Sequence, residues 1–131
     1  MLIEMLLKHV HLNLTLRLKL GGKNKGQLSM GNLIPQNLLN QIPDLYETER
    51  TINPTCHIKI FTPDSIFTWY IIEVSKEDKH TCYGYVVGFE SELGYFSLNE
   101  LNEIRGNLGL KVELDTLFTP TALEIIRRNP K

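Results

Sequence analysis

The sequence predicts an α+β fold: an antiparallel sheet of about four to five strands, short flanking helices, and an added N-terminal strand. Three observations carry this. Residues 9–20, HVHLNLTLRLKL, alternate apolar and polar without a slip, the period of a half-buried strand. The stretches CHIKIF (56–61), TWYIIEV (68–74) and TCYGYVV (81–87) are β-branched or aromatic runs, and such runs make strands. Short turn-forming segments, Thr62-Pro63-Asp64-Ser65 and Ser75-Lys76-Glu77-Asp78-Lys79, separate the last three. Strands joined by short loops pair antiparallel with their sequence neighbours.

In order along the chain, the apolar opening MLIEMLLKHV is interrupted by Glu4 and Lys8 and has no cleavage-site pattern of a signal peptide. Nothing in the sequence approaches the roughly 20 apolar residues of a membrane span. The leucine face of residues 10–20 needs cover, from the domain or from a second copy in a homodimer. Gly21 to Gly26 is a Gly/Lys linker, so residues 1–29 read as an extension and 30–131 as one α+β domain. Asn32 to Ile42 has helical spacing, with Pro35 in the first turn and Pro43 closing it. Gly94-Tyr95-Phe96 is a short strand. Ser97 and Glu100 form a capping box for the next helix, which Gly106 ends as a left-handed cap. Thr119-Pro120 starts a last helix, with Arg127 and Arg128 at its negative end.

At 131 residues the chain can bury a core without staples, and its 42% hydrophobic and 22% charged residues are ordinary for a globular protein. Two cysteines, Cys56 and Cys82, fit a reducing cytoplasm. The net charge of −1 conceals an asymmetry: residues 1–29 carry 5 − 1 = +4, and residues 30–131 carry 9 − 14 = −5. A basic arm on an acidic body suits either a mixed solvated surface or docking on a basic partner.

The chemistry-bearing residues favour structure over catalysis. Cys56, His57, His80 and Cys82 are candidate metal ligands, but Cys56 and His57 point to opposite faces of a strand, and paired C-x-x-C spacing is absent. No metal site and no cofactor is expected. Ser97 lacks a nucleophile elbow and already caps a helix. Glu90 and Glu92 are a carboxylate pair between Gly88 and Gly94, which suits an exposed turn. Aromatics on a sheet can stack nucleic-acid bases, but that mode needs a basic surface, and here the body is acidic. Direct nucleic-acid binding rests only on the basic segment 17–25. Trp69, inside TWYIIEV, is expected to be buried.

The pieces IPQNLLNQIPDLYETE, IKIFTPDSIFTWYIIE, YGYVVGFESELGYFSLNELNEIRGNLGLKVELD and FTPTALEI, spanning about residues 32–126, resemble the domain-of-unknown-function family 2958. The resemblance implies a small cytoplasmic α+β protein of bacteria and their plasmids, conjugative elements and phages, with no catalytic residues to carry over. Its polar and aromatic positions fall on Thr62, Pro63, Asp64, Thr68, Trp69, Glu92, Gly94, Tyr95, Arg105, Gly106 and Asp115. Where the family has an Arg-Asp pair after LGL, this chain has Leu114-Asp115. The function expected by resemblance is a non-enzymatic binding protein of a mobile element. It would inhibit a host defence nuclease, of CRISPR or restriction type, or its nucleic-acid complex. The expected contact is an acidic surface of Glu90, Glu92, Glu100 and Glu103, with Asp64, Tyr95, Arg105 and Asp115. The alternatives are a small enzyme in which Asp64, Glu92 or Asp115 converge in a cleft, and a structural or accessory subunit.

Overall fold

The computed structural model describes residues 33–129. The expected strand at 9–20, the Gly/Lys linker, and any dimer built on residues 10–20 lie outside them. The described chain runs through α1 (Gln36–Leu39), β1 (Thr55–Cys56), β2 (Ile58–Phe61), β3 (Thr68–Val74), β4 (Thr81–Val87), β5 (Ser91–Ser97), α2 (Leu98–Leu101), β6 (Glu113–Leu114), β7 (Thr121–Ala122) and α3 (Leu123–Arg128). The fold class is the expected α+β. The principal sheet has the order β5-β4-β3-β2-β6, all neighbours antiparallel, and β1 pairs separately with β7.

The three apolar runs make the centre of the sheet because each can be buried on both sides. In β3 every residue after Thr68 is buried. One face, the front, carries Ile58, Ile60, Trp69, Ile71, Val74, Cys82, Val86 and Phe96, and is covered by Ile34, Ile42, Leu98, Leu101 and Ile104. The other, the back, carries Tyr70, Ile72 and Tyr85 under Leu123 and Ile126 of α3. Trp69 is fully buried, as its strand context predicts. Each fully buried Leu or Ile here contributes on the order of 1.5–3 kcal/mol.

The turns use the chemistry their residues offer. In the β3–β4 turn Ser75 Oγ accepts from the Glu77 and Asp78 amides, and Asp78 Oδ1 accepts from those of His80 and Thr81. A register shift between Ile71 and Glu73 makes a bulge in β3. It turns both Ile72 and Glu73 toward the back face, as a bulge re-aims side chains. The Gly84 backbone sits so close to β3 at this point that a Cβ would lie 2.0 Å from Tyr70 O.

Several elements differ from the sequence reading. The helix expected over 32–42 contracts to Gln36–Leu39, because the segment is held by fully buried Ile34 and Ile42 rather than by a continuous stripe. The run 56–61 divides at His57 into β1 and β2, since Cys56 pairs with Thr121 while Ile58 pairs with Ile71. The strand at 94–96 extends to Ser91–Ser97. Half of the capping box forms: Ser97 Oγ accepts from Asn99 N at 3.2 Å, but Ser97 is still paired opposite Thr81 and the bond back from Glu100 is not made. Gly106 is not a helix cap. Helix α2 ends at Leu101 with Asn102 in right-handed geometry, and the described glycine with positive φ is Gly109. Thr119-Pro120 does not start α3 either; the next two residues pair with β1, and Ala122 is the N-cap.

Candidate functional site

Two surfaces gather what the sequence singled out. The first is the loop end of the sheet, where the β2–β3 loop (62–67), the β4–β5 loop (88–90) and the 106–110 strap meet. Asp64 organises it. Its Oδ2 accepts from Leu108 N at 2.6 Å and Leu110 N at 3.1 Å, and its carbonyl accepts from Asn107 N. Asp64 Oδ1 is buried against Gly106 without a hydrogen-bond partner. A Cβ on Gly106 would lie 1.7 Å from that oxygen, so glycine is required for contact, not for its φ. The clamp holds Leu108 in the open, 80% exposed, beside exposed Leu110. Phe89, 67% exposed at the hairpin tip, stands edge-on to Phe67 with ring centroids 5.8 Å apart. Ile66 and the carboxylate of Glu90 complete this end.

The second surface is a groove of about 380 Å³ on the back face. Its walls are aromatic: the Tyr83 and Tyr95 rings are 5.0 Å apart and the Tyr46 and Tyr95 rings 6.4 Å apart. Tyr46 has φ 71°, the left-handed region that costs a bulky L-residue roughly 1–2 kcal/mol. Buried Glu73 holds it there. Glu73 Oε1 accepts from Tyr46 N at 2.8 Å, and Oε2 accepts from Thr48 N at 2.9 Å and from the Thr48 hydroxyl. Desolvation, and then the neighbouring Tyr46, raise the Tyr95 hydroxyl above the usual tyrosine range. Sequence reading passed over Tyr46 and Glu73, because their pairing spans 27 residues and depends on the bulge.

The eight expected site residues are distributed over both faces and both edges. Glu90 and Asp64 are at the loop end. Glu92 pairs with Val86 on the front face, whereas Tyr95, three residues on, faces back. Glu100 and Glu103 are half-buried in the segment covering the front. Arg105 turns its guanidinium onto the carbonyls of Asn102 and Ile104. Asp115 is bound to Lys59 at 3.4 Å and accepts from Leu117 N. It stands beside β2 and β6, so roughly three to four strand spacings of about 4.8 Å, some 14–19 Å, separate it from Glu92 on β5. Asp64, Glu92 and Asp115 therefore do not share a cleft.

The metal candidates separate likewise. Cys56 belongs to the back cluster and Cys82 to the front, and no group of three metal-ligating side chains occurs among the described residues. Both thiols are free and buried; desolvation pushes Cys56 up to about 12 and Cys82 upward as well. One constellation escaped the sequence reading. His80 Nδ1 lies 3.2 Å from Ser97 Oγ and its Nε2 3.8 Å from Asp78 Oδ2. Ser97 Oγ is occupied as the cap of α2, the His–Asp distance exceeds a hydrogen bond, and the principal clefts are lined by other residues.

The family model "Protein of unknown function (DUF2958)" matches residues 33–125. The chain belongs to this family. The DUF2958 match takes in the seven strands of the described residues, the Asp64 clamp, and Tyr46 with Glu73, and it stops inside α3 before Arg127. Searches of curated proteins and of solved structures gave no match. No described helix of this DUF2958 protein is long and apolar enough to cross a membrane.

Proposed function

We propose that the domain is a non-catalytic binding protein of a mobile genetic element that docks on a host defence nuclease, in the manner of an anti-CRISPR or anti-restriction protein. The observation that carries the binding role is the loop end. There, Asp64 packed against Gly106 holds the strap with exposed Leu108 and Leu110 on the β2–β3 loop, and the same loop carries exposed Ile66 and packs through Phe67 on exposed Phe89. Several exposed apolar side chains carried around one hydrogen-bonded loop mark a protein contact surface. The defence nuclease as partner rests on two weaker supports. One is the resemblance. The other is charge: residues 33–129 carry 8 basic and 14 acidic side chains, 8 − 14 = −6, and Glu90 stands at the apolar end itself. A negative body competes for the basic channel in which a nuclease holds nucleic acid. The setting is a reducing cytoplasm, in keeping with two free thiols.

The test has two stages. The full chain is used to capture partners from a host lysate, and the recovered nuclease is then purified and titrated. Leu108→Asp and Glu90→Lys should each weaken binding, the first by about tenfold or more as for a central interface residue. Nuclease cleavage should be suppressed by the native chain and less by the variants. A purified partner that binds all three alike removes the loop end from the interface. Undiminished cleavage by the bound nuclease removes the inhibitory role.

A further inference from the structure

We propose that the tyrosine groove on the back face is a cation subsite that takes an arginine side chain presented by the protein partner. The proposal rests on the protein-binding reading above but uses a different surface. Tyrosine faces carry negative quadrupole charge and attract guanidinium. This sheet face already uses that chemistry twice: Arg127 lies over the Tyr85 ring with 5.3 Å to the centroid, and Lys59 over Tyr70 with 6.0 Å. Tyr46, Tyr83 and Tyr95 are the tyrosines of the same face that have no cation of their own among those contacts. Tyr46 and Tyr95 are 63% and 47% exposed, so their rings are available to a visitor.

Charge selects among occupants. The charged side chains lining the groove are Glu49, Glu73 and Arg127, one net negative charge, and Arg127 is stacked on Tyr85. Glu73 is 2% exposed, so its charge is fixed in the wall and poorly screened. Its carboxylate accepts three hydrogen bonds, which leaves one lone-pair position of about four. A nucleotide would stack on the same rings, but its phosphate meets both glutamates. A neutral aliphatic chain fills the volume without using the charge. Arginine meets both demands, with a planar cation for the rings and a fork of donors for the carboxylates. The left-handed Tyr46 also gains a purpose. Backbone strain of that kind gathers at binding sites when the surroundings over-determine it, and here the bulge in β3, Glu73 and two amides do so.

The test is ¹H–¹⁵N NMR titration of the full chain with Nα-acetyl-arginine amide, Nα-acetyl-norleucine amide and AMP as probes. The arginine probe should give saturable shifts in the millimolar range at Tyr46, Thr48, Tyr83 and Tyr95. Tyr95→Leu should weaken it about fivefold, the equivalent of one exposed cation–π contact, and Glu49→Gln by a smaller factor. Both positions are solvent-exposed, and Trp69 emission verifies that the variants stay folded. Equal or tighter binding of norleucine or AMP, shifts outside the groove, or no saturable shift would overturn the subsite. The two readings fail separately. Loss of partner binding in Leu108→Asp but not in Tyr95→Leu leaves the loop end and removes the subsite. Arginine-probe binding with no protein partner leaves the subsite and removes the function proposed above.

Discussion

Replacing Gly106 by alanine should unfold the Asp64 clamp, and a thermodynamic cycle isolates the cause. The added Cβ would lie 1.7 Å from Asp64 Oδ1, 2.3 Å from Cγ and 2.8 Å from Oδ2, all shorter than real contacts allow. The side chain must leave, and with it go the bonds to Leu108 N and Leu110 N. Hydrogen bonds to a charged acceptor contribute about 1.5–3 kcal/mol each, and the low end applies to these bonds between exposed residues, so the loss is about 3 kcal/mol. Asp64→Ala deletes the same two bonds and should cost nearly as much. In that background the three atoms nearest to the new Cβ are gone. The backbone at 106 is outside the left-handed region, so alanine there should be neutral or stabilising by about 0.5 kcal/mol through the unfolded chain. The double variant should therefore lose about 3 kcal/mol rather than about 6, a coupling of roughly 3 kcal/mol. Urea unfolding followed through the one tryptophan, Trp69, reads all four corners of the cycle. Additivity within about 0.5 kcal/mol would refute the argument, because independent effects add and a shared clamp does not.

Three further outcomes can be checked by similar means. Ser97→Ala should cost about 1 kcal/mol of unfolding free energy, since it removes the acceptor for Asn99 N at the start of α2; an unchanged urea midpoint would mean the cap is idle. Burial alone would push Asp78 upward, but the Thr81 hydroxyl, the His80 and Thr81 amides and the His80 charge outweigh it and hold the carboxyl down at about 2. The stabilisation from Asp78 is then complete above the ordinary value of 3.8 and lost as pH falls through 2, so acid titration of Asp78→Asn should be flatter than native across that window. Iodide should quench Trp69 poorly in the folded chain and efficiently in urea, and efficient quenching before unfolding would contradict its burial.

What the sequence determined by itself is the local part of the molecule. The runs TWYIIEV and TCYGYVV have the β-branched and aromatic content that only a doubly covered strand can use, and β3 and β4 occupy those residues. Ser75, Asp78 and Ser97 announce turns and a cap because their short side chains bond to amides two or three residues away. Asp64, Tyr95 and Gly106 were visible as positions, through resemblance, but not in their roles. Those roles depend on partners 12 to 49 residues distant, as Tyr83 and Tyr46 are from Tyr95, with Leu110 46 residues from Asp64. Gly106 reads as a helix cap from its neighbours and is instead the space into which a carboxylate packs. Whether a glutamate faces front or back, and whether a tyrosine ring is core or groove wall, follows from pleat, register and one bulge. A bulge shifts which side chains share a face, and period-two reading of a strand has no means of seeing it. Only the tertiary structure could therefore decide that Tyr46, Tyr83 and Tyr95 line one groove while Glu92 looks the other way.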